Sequence, residues 1–340
     1  MAAASPETIT PSARERSLRV RLIPYIDRFG ILFIVLVMLA VGTITQPDVF
    51  LSWRNLSNLP GQNAALAALA MGMFVVIVTA GIDLSVGSVL VLAMMTTAVL
   101  ARDQVLPPLL LVPVPILVGM LVGLINVLGL TVLRLPHPFI VTLGTLNIAR
   151  GVANLISGGV PISGMPEPVR FLGNGSLDLG FMQLPVSLVV IAVLYLGFWI
   201  FLQYTRTGRH LYAIGGNPQA ARVSGVNVER TLVLAYVLSG ATAGLAGLLL
   251  AGRTNSGFPN AGIGAELDAI SAVIIGGASF FGGRGSVLGV LAGVLVIGLL
   301  RNILNLNNVP VFWQQVLIGV VIILAVFLDV LRRRAGSASE

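Results

Sequence analysis

At 340 residues, 56% hydrophobic and 10% charged, with a mean hydropathy of +0.97, the chain is too apolar for a water-soluble protein of this length. All 20 basic residues are arginine and no cysteine is present, which removes P-loop, Schiff-base and general-base lysines, thiol nucleophiles, disulfides and cysteine metal sites. The net charge of +7 gathers in arginines that flank apolar runs, a membrane-boundary pattern and not a nucleic-acid surface.

The first 22 or so residues are polar, and Arg14, Arg16, Arg19, Arg21 and Arg28 precede the first apolar run; without a small-residue cleavage site, residues 1–28 read as a cytoplasmic tail ahead of an uncleaved span. Apolar stretches of about the 20-residue crossing length then follow, at about 29–46, 61–80, 84–101, 106–133, 137–156, 185–204, 231–251, 265–281, 286–304 and 311–331. The expected fold is all-α, a polytopic transmembrane helical bundle of about ten spans occupying 29–331, with a cytoplasmic tail over 332–340. Alternate threading puts fourteen arginines on the side of both termini and five opposite, with Arg150 inside a span. By the positive-inside rule the side rich in arginine is cytoplasmic. The Gly- and Pro-rich loop 157–184 then lies outside and the basic loop 205–230 inside.

Asp83, in VTAGIDLSVGSVL, is the one ionisable residue in a run from Gly61 to Ala101. A glycine two residues before it and apolar residues after it predict an N-cap at a break between helices. Irregular backbone at membrane depth must face protein or water, and an acid there is a candidate for the transport route. GIDLSVGSV at 81–89 is echoed by GAELDAISA at 264–272, and GMLVG at 119–123 by GVLAG at 289–293. With the threading above these copies run in opposite directions, an inverted repeat with interrupted helices of the kind found in transporters. Asp83, Ser85, Ser88, Glu266 and Asp268 are therefore candidates for the substrate pathway or for helix breaks. Arg150 is expected to snorkel or pair, and Asn126 and Asn147 to bond between helices.

Within the inner loop, GGNPQAARVSGVNVER encodes a helix of about two turns: Asn217 as N-cap, Pro218 at the first position and Gly225 as the stop. Gly215 and Gly216 flank it, and Ala220, Ala221 and Val223 are expected to face a partner. LISGGV at 155–160 and GGASFFGGRGS at 276–286 look like nucleotide motifs but lack the lysine a phosphate loop needs.

Taken in order, GIDLSVGS (81–88), LGTLNIARGV (143–152), TGRHLYAIGGNPQAARVSGVNVER (207–230), GGASFFGGRGSVLGVLAG (276–293) and FWQQVLIGVVIILAVFLD (312–329) resemble the permease subunits of ATP-binding-cassette importers for ribose, xylose, arabinose, galactose and related sugars. The resemblance covers about 29–331 and has Arg284 where such chains often carry lysine. It implies a multi-pass protein of the bacterial inner membrane that forms a homodimer or pairs with a closely homologous second permease, and that works with a periplasmic sugar-binding protein and a cytoplasmic ATPase. ATP and Mg would be bound by that ATPase, leaving no cofactor and no catalytic role on this chain. Gly216, Asn217, Ala220, Ala221 and Gly225 would form the coupling helix seated on the ATPase, and loop 157–184 would meet the binding protein. The buried acids also fit an ion-coupled secondary transporter, and a nucleoside, a signalling sugar or a branched-chain amino acid remains open as cargo. An intramembrane enzyme is poorly supplied with reactive side chains.

Overall fold

The computed structural model describes residues 31–337 apart from Phe181. The tail arginines from Arg14 to Arg28 lie outside the described residues. Thirteen helices are described: α1 (Ile31–Thr45), α2 (Trp53–Val78), α3 (Val86–Arg102), α4 (Val114–Thr131), α5 (Pro138–Ser157), α6 (Glu167–Asn174), α7 (Val186–Tyr204), α8 (Arg206–Gly216), α9 (Pro218–Val223), α10 (Val228–Thr254), α11 (Ala265–Ile275), α12 (Val287–Leu306) and α13 (Val311–Ser337). Local chemistry starts several of them. Ser52, Thr205, Asn227 and Ser286 each accept an amide of the first turn that follows, satisfying donors with no partner inside the helix.

Among the described residues, six helices are long and apolar enough to cross a membrane: α2, α4 with the short 3₁₀ turn before it, α5, α7, α10 and α12. The helices α1, α3 and part of α13 are shorter apolar segments. Two expectations change. The span expected over 265–281 is a helix of 11 residues, about half a crossing at 1.5 Å per residue, because Gly276 and Gly277 end it and a loop runs on to Ser286. The last helix does not stop at 331 but continues through the three terminal arginines to Ser337.

The core lies around α2 and α10, which pack on each other. Neighbours recur across that pair: α3 packs on α4, α5 and α10, whereas α11 packs on α12, α13 and α2. Exchange of α2 with α10 maps one set onto the other, which is the packing expected of an internal repeat. The starts of α3 and α11 meet where Gly87 abuts the Gly262 carbonyl and the Glu266 carboxylate. The glycine pairs serve different surfaces in the two halves: Gly119 and Gly123 let α4 approach α10, while Gly289 and Gly293 press α12 onto the end of α11.

The segment 157–184 carries short elements of secondary structure among its described residues. β1 (Ile162–Ser163) pairs antiparallel with β4 (Ser256–Gly257), and β2 (Ser176–Asp178) with β3 (Gln183–Pro185). Between them α6 lies against the last turns of α10, Gly173 on the Leu249 carbonyl and Gly252 on the Val169 carbonyl. This cap and Arg253 share one end of the bundle; α8, α9 and the 276–286 loop share the other, where Gly283 donates to the Val78 carbonyl at 2.9 Å.

Candidate functional site

The chain leaves α2 through Thr79 and a left-handed Ala80 (φ 62°), then runs without helix to Ser85. Gly81 packs closely there: a Cβ would lie 2.8 Å from the hydroxyl of the fully buried Tyr236. Two residues later Asp83 is 1% exposed, and Ser85 and Ser88 are fully buried. Asp83 Oδ1 accepts the Ser85 amide at 3.0 Å and the Ser85 hydroxyl at 2.6 Å, and Oδ2 accepts the Ser239 hydroxyl from α10 at 3.0 Å. Its bond is to the amide just ahead of α3 and not to one within the first turn, where an N-cap was expected.

The network extends outward in one direction. Thr145 Oγ1 on α5 donates to Asn126 Oδ1 on α4 at 2.6 Å, and Asn126 Nδ2 donates to Ser85 Oγ at 2.9 Å. Each donor points toward the carboxylate, so one buried acid joins the start of α3 to α4, α5 and α10. Such a fully partnered acid acts as a latch between helices. Asn126 bonds between helices as the sequence predicted; Asn147 does not, since its side chain donates to Leu143 of its own helix and is exposed. Ser88 Oγ, Tyr236 Oη and Glu266 Oε2 are buried without a hydrogen-bond partner among the described residues.

In the second half, Asp268 Oδ2 is bound by Arg301 of α12. The two partners lie 33 residues apart, and nothing local in the sequence pairs them. Arg150 Nη1 donates to the Ala261 carbonyl at 3.1 Å and more weakly to that of Pro259. It thus secures the loop that leads into α11.

At the opposite end, Asn217 caps α9 as its sequence dictates, accepting Gln219 N at 3.0 Å and Ala220 N at 2.9 Å. Gly225, at φ 86°, closes it, and Val226 N donates to the Ala221 carbonyl. Gly216 belongs to α8 and not to a loop. One orientation is the reverse of that expected: Ala221 is buried against Ile214 and Val228. A helix of six residues has no periodic pattern to reveal its inner face. Ala220 remains exposed and Val223 is 88% exposed.

Helices broken by short irregular segments, a second half that repeats the packing of the first, and a short capped helix at one end of the bundle define a polytopic transport permease. The chain belongs to the family described as branched-chain amino acid transport system / permease component, whose model matches residues 55–326. It is similar to the ribose import permease protein RbsC of Haemophilus influenzae, 38% identical over 301 residues that cover 87% of this chain and 90% of that one. The galactose/methyl galactoside import permease protein MglC of Escherichia coli is 38% identical over 91% of this chain and 95% of its own. The D-allose transport system permease protein AlsC of Escherichia coli is 37% identical over 89% and 91%. No solved structure matches.

Proposed function

We propose that this chain is the membrane-spanning subunit of an ATP-driven importer that carries a monosaccharide across the bacterial inner membrane by alternating access. The observation that carries the reading is similarity over about nine-tenths of the chain to permeases named for ribose, galactose and allose, joined to a short capped helix at one end of the bundle whose Ala220 and Val223 are exposed. In this reading α9 faces the cytoplasm and docks on a separate ATPase, which binds ATP and Mg and performs the only chemistry. Gly216, Asn217, Ala220 and Gly225 shape that contact. Ala221 anchors it from within, and Val223 and Arg222 meet the partner. A second permease lies alongside, and a sugar-binding protein docks on the cap formed by 157–184. Both termini lie with α9 in the cytoplasm, the tails being 1–28 and the residues after the bundle. The Asp83 network holds α3, α4, α5 and α10 together in one state of the cycle, and its break is where the bundle rearranges.

The test uses Val223→Cys in a chain that has no cysteine of its own. Crosslinking from that position is expected to capture an ATP-binding-cassette ATPase, and the assembled complex in liposomes to take up a monosaccharide only with ATP. Uptake by this chain alone, driven by an ion gradient, would overturn the reading.

A further inference from the structure

A polar cleft opens between α2, α10, α11 and α12, on the side of the bundle toward the 157–184 cap. It encloses about 360 Å³, within the range of small-molecule sites. Gln62, Asn63, Arg253, Asp268, Arg301 and Asn305 line it. This concentration of amides and charges is costly at membrane depth unless water or a polar ligand meets it.

Part of that polarity is unused. Among the described residues, the Arg253 guanidinium and the Gln62 amide make no hydrogen bond. Asp268 gives only one oxygen to Arg301 and leaves Oδ1 without a donor, and Asn63 donates to Leu59 of its own helix while its Oδ1 accepts nothing. Arg253 also lines a second, outer cavity of about 520 Å³ beside Trp53, Asn58 and Asn174, and so stands between the cleft and the cap. The inner wall is aliphatic, formed by Leu66, Leu69, Leu90 and Leu250.

The geometry points to this cleft as a binding site for a neutral monosaccharide on its way through the protein. The inference rests on the proposed function. A sugar ring offers alternating donors and acceptors at its rim and C–H groups on its faces, matching planar amides, a carboxylate–guanidinium pair and an aliphatic wall. An amino acid fits less well. Its ammonium needs a carboxylate, and the one carboxylate here already neutralises Arg301. A free cation would meet the unpaired Arg253.

The experiment uses the complete transporter in liposomes, with Gln62→Cys or Ile263→Cys as the single thiol; Ile263 lines the cleft and is 63% exposed, so the second position tolerates substitution if the first does not. The rate of modification by a membrane-impermeant methanethiosulfonate is measured with D-ribose, D-galactose, D-allose, L-leucine or inorganic phosphate. Leu109→Cys, 70% exposed and away from the cleft, reports nonspecific effects. At least one sugar is expected to slow modification at Gln62 and Ile263 threefold or more, with leucine, phosphate and the Leu109 control without effect. Unchanged rates with every sugar, in an assembly that imports one of them, would overturn the site and leave the importer reading standing. Protection by phosphate would make the cleft an anion site, and protection by leucine with leucine uptake would overturn both.

Discussion

Replacement of Asp83 separates a latch from an ion-coupling acid. In Asp83→Leu the Ser85 amide, the Ser85 hydroxyl and the Ser239 hydroxyl all lose their acceptor. Bonds between membrane helices contribute about 0.6 kcal/mol on average and up to about 1.7, while a buried donor left unpaired costs about 1–3 kcal/mol. Together these place Asp83→Leu at about 3–5 kcal/mol of destabilisation. In Asp83→Asn the amide oxygen keeps both Ser85 donors and the new NH₂ turns to Ser239, whose hydroxyl can accept, so the loss is about 1 kcal/mol. Stability is read by thermal unfolding in detergent through the three tryptophans, and function by ATP-dependent uptake in liposomes. Asp83→Asn is expected to fold and transport, and Asp83→Leu to be severely unstable. A folded Asp83→Asn protein with no uptake would refute the latch and favour a titrating role.

Three further outcomes follow from the geometry. Asn217→Pro forces φ near −65° where the backbone is at −158° and removes the amide that donates to Ala213; α9 is expected to unravel, with ATPase stimulation lost while the bundle's unfolding temperature changes little. Gly215→Val drives a side chain into the Val78 carbonyl and Gly283, an overpacking expected to cost about 1–3 kcal/mol and to reduce uptake more than ATPase activity, measured side by side. Asn55 and Asn302 exchange amide bonds at 3.1 and 2.8 Å; a double-mutant cycle to alanine is expected to give a coupling of about 1 kcal/mol, and an additive cycle would show the pair to be passive.

Individual residues announced themselves in the sequence where they broke a local pattern. Asp83 stands out because nothing else in its run is charged, and Asn217 because a cap, a proline and a closing glycine fall in order. What joins them was hidden. Ser239 lies 156 residues from Asp83, and a serine in an apolar helix carries no sign of its partner. Arg301 sits near a helix end, where an arginine needs no mate, so its bond to Asp268 was unreadable. The shortness of α11 did leave a trace: Gly276, Gly277, Gly282 and Gly283 follow it, and Gly277, Gly282 and Gly283 have positive φ. Apolar residues scattered among them kept the hydropathy high across a stretch that is loop.

The connection between α9 and the buried acid runs through backbone. Gly215, at the end of α8, rests on the Val78 carbonyl and on Gly283, and the Gly283 amide donates to that same carbonyl. Tyr212 of α8 donates to the Gly285 carbonyl at 3.2 Å, and Gly282 lies against Ala80. The end of α2, the break before Asp83 and the loop after α11 thus meet α8 at one place. Contacts between backbones without intervening side chains leave little slack, because packed interiors do not deform continuously. A displacement of α8 by a partner on α9 would therefore reach both interrupted helices together: α3 through Asp83 and its partners, α11 through the glycine loop. Asp83 holds the Ser85 hydroxyl at 2.6 Å and the Ser239 hydroxyl at 3.0 Å, and the Asp268 bond to Arg301 borders the polar cleft. A contact at α9 is thereby linked through packed backbone to the break beside Asp83 and to the loop after α11, the kind of coupling that alternating access requires.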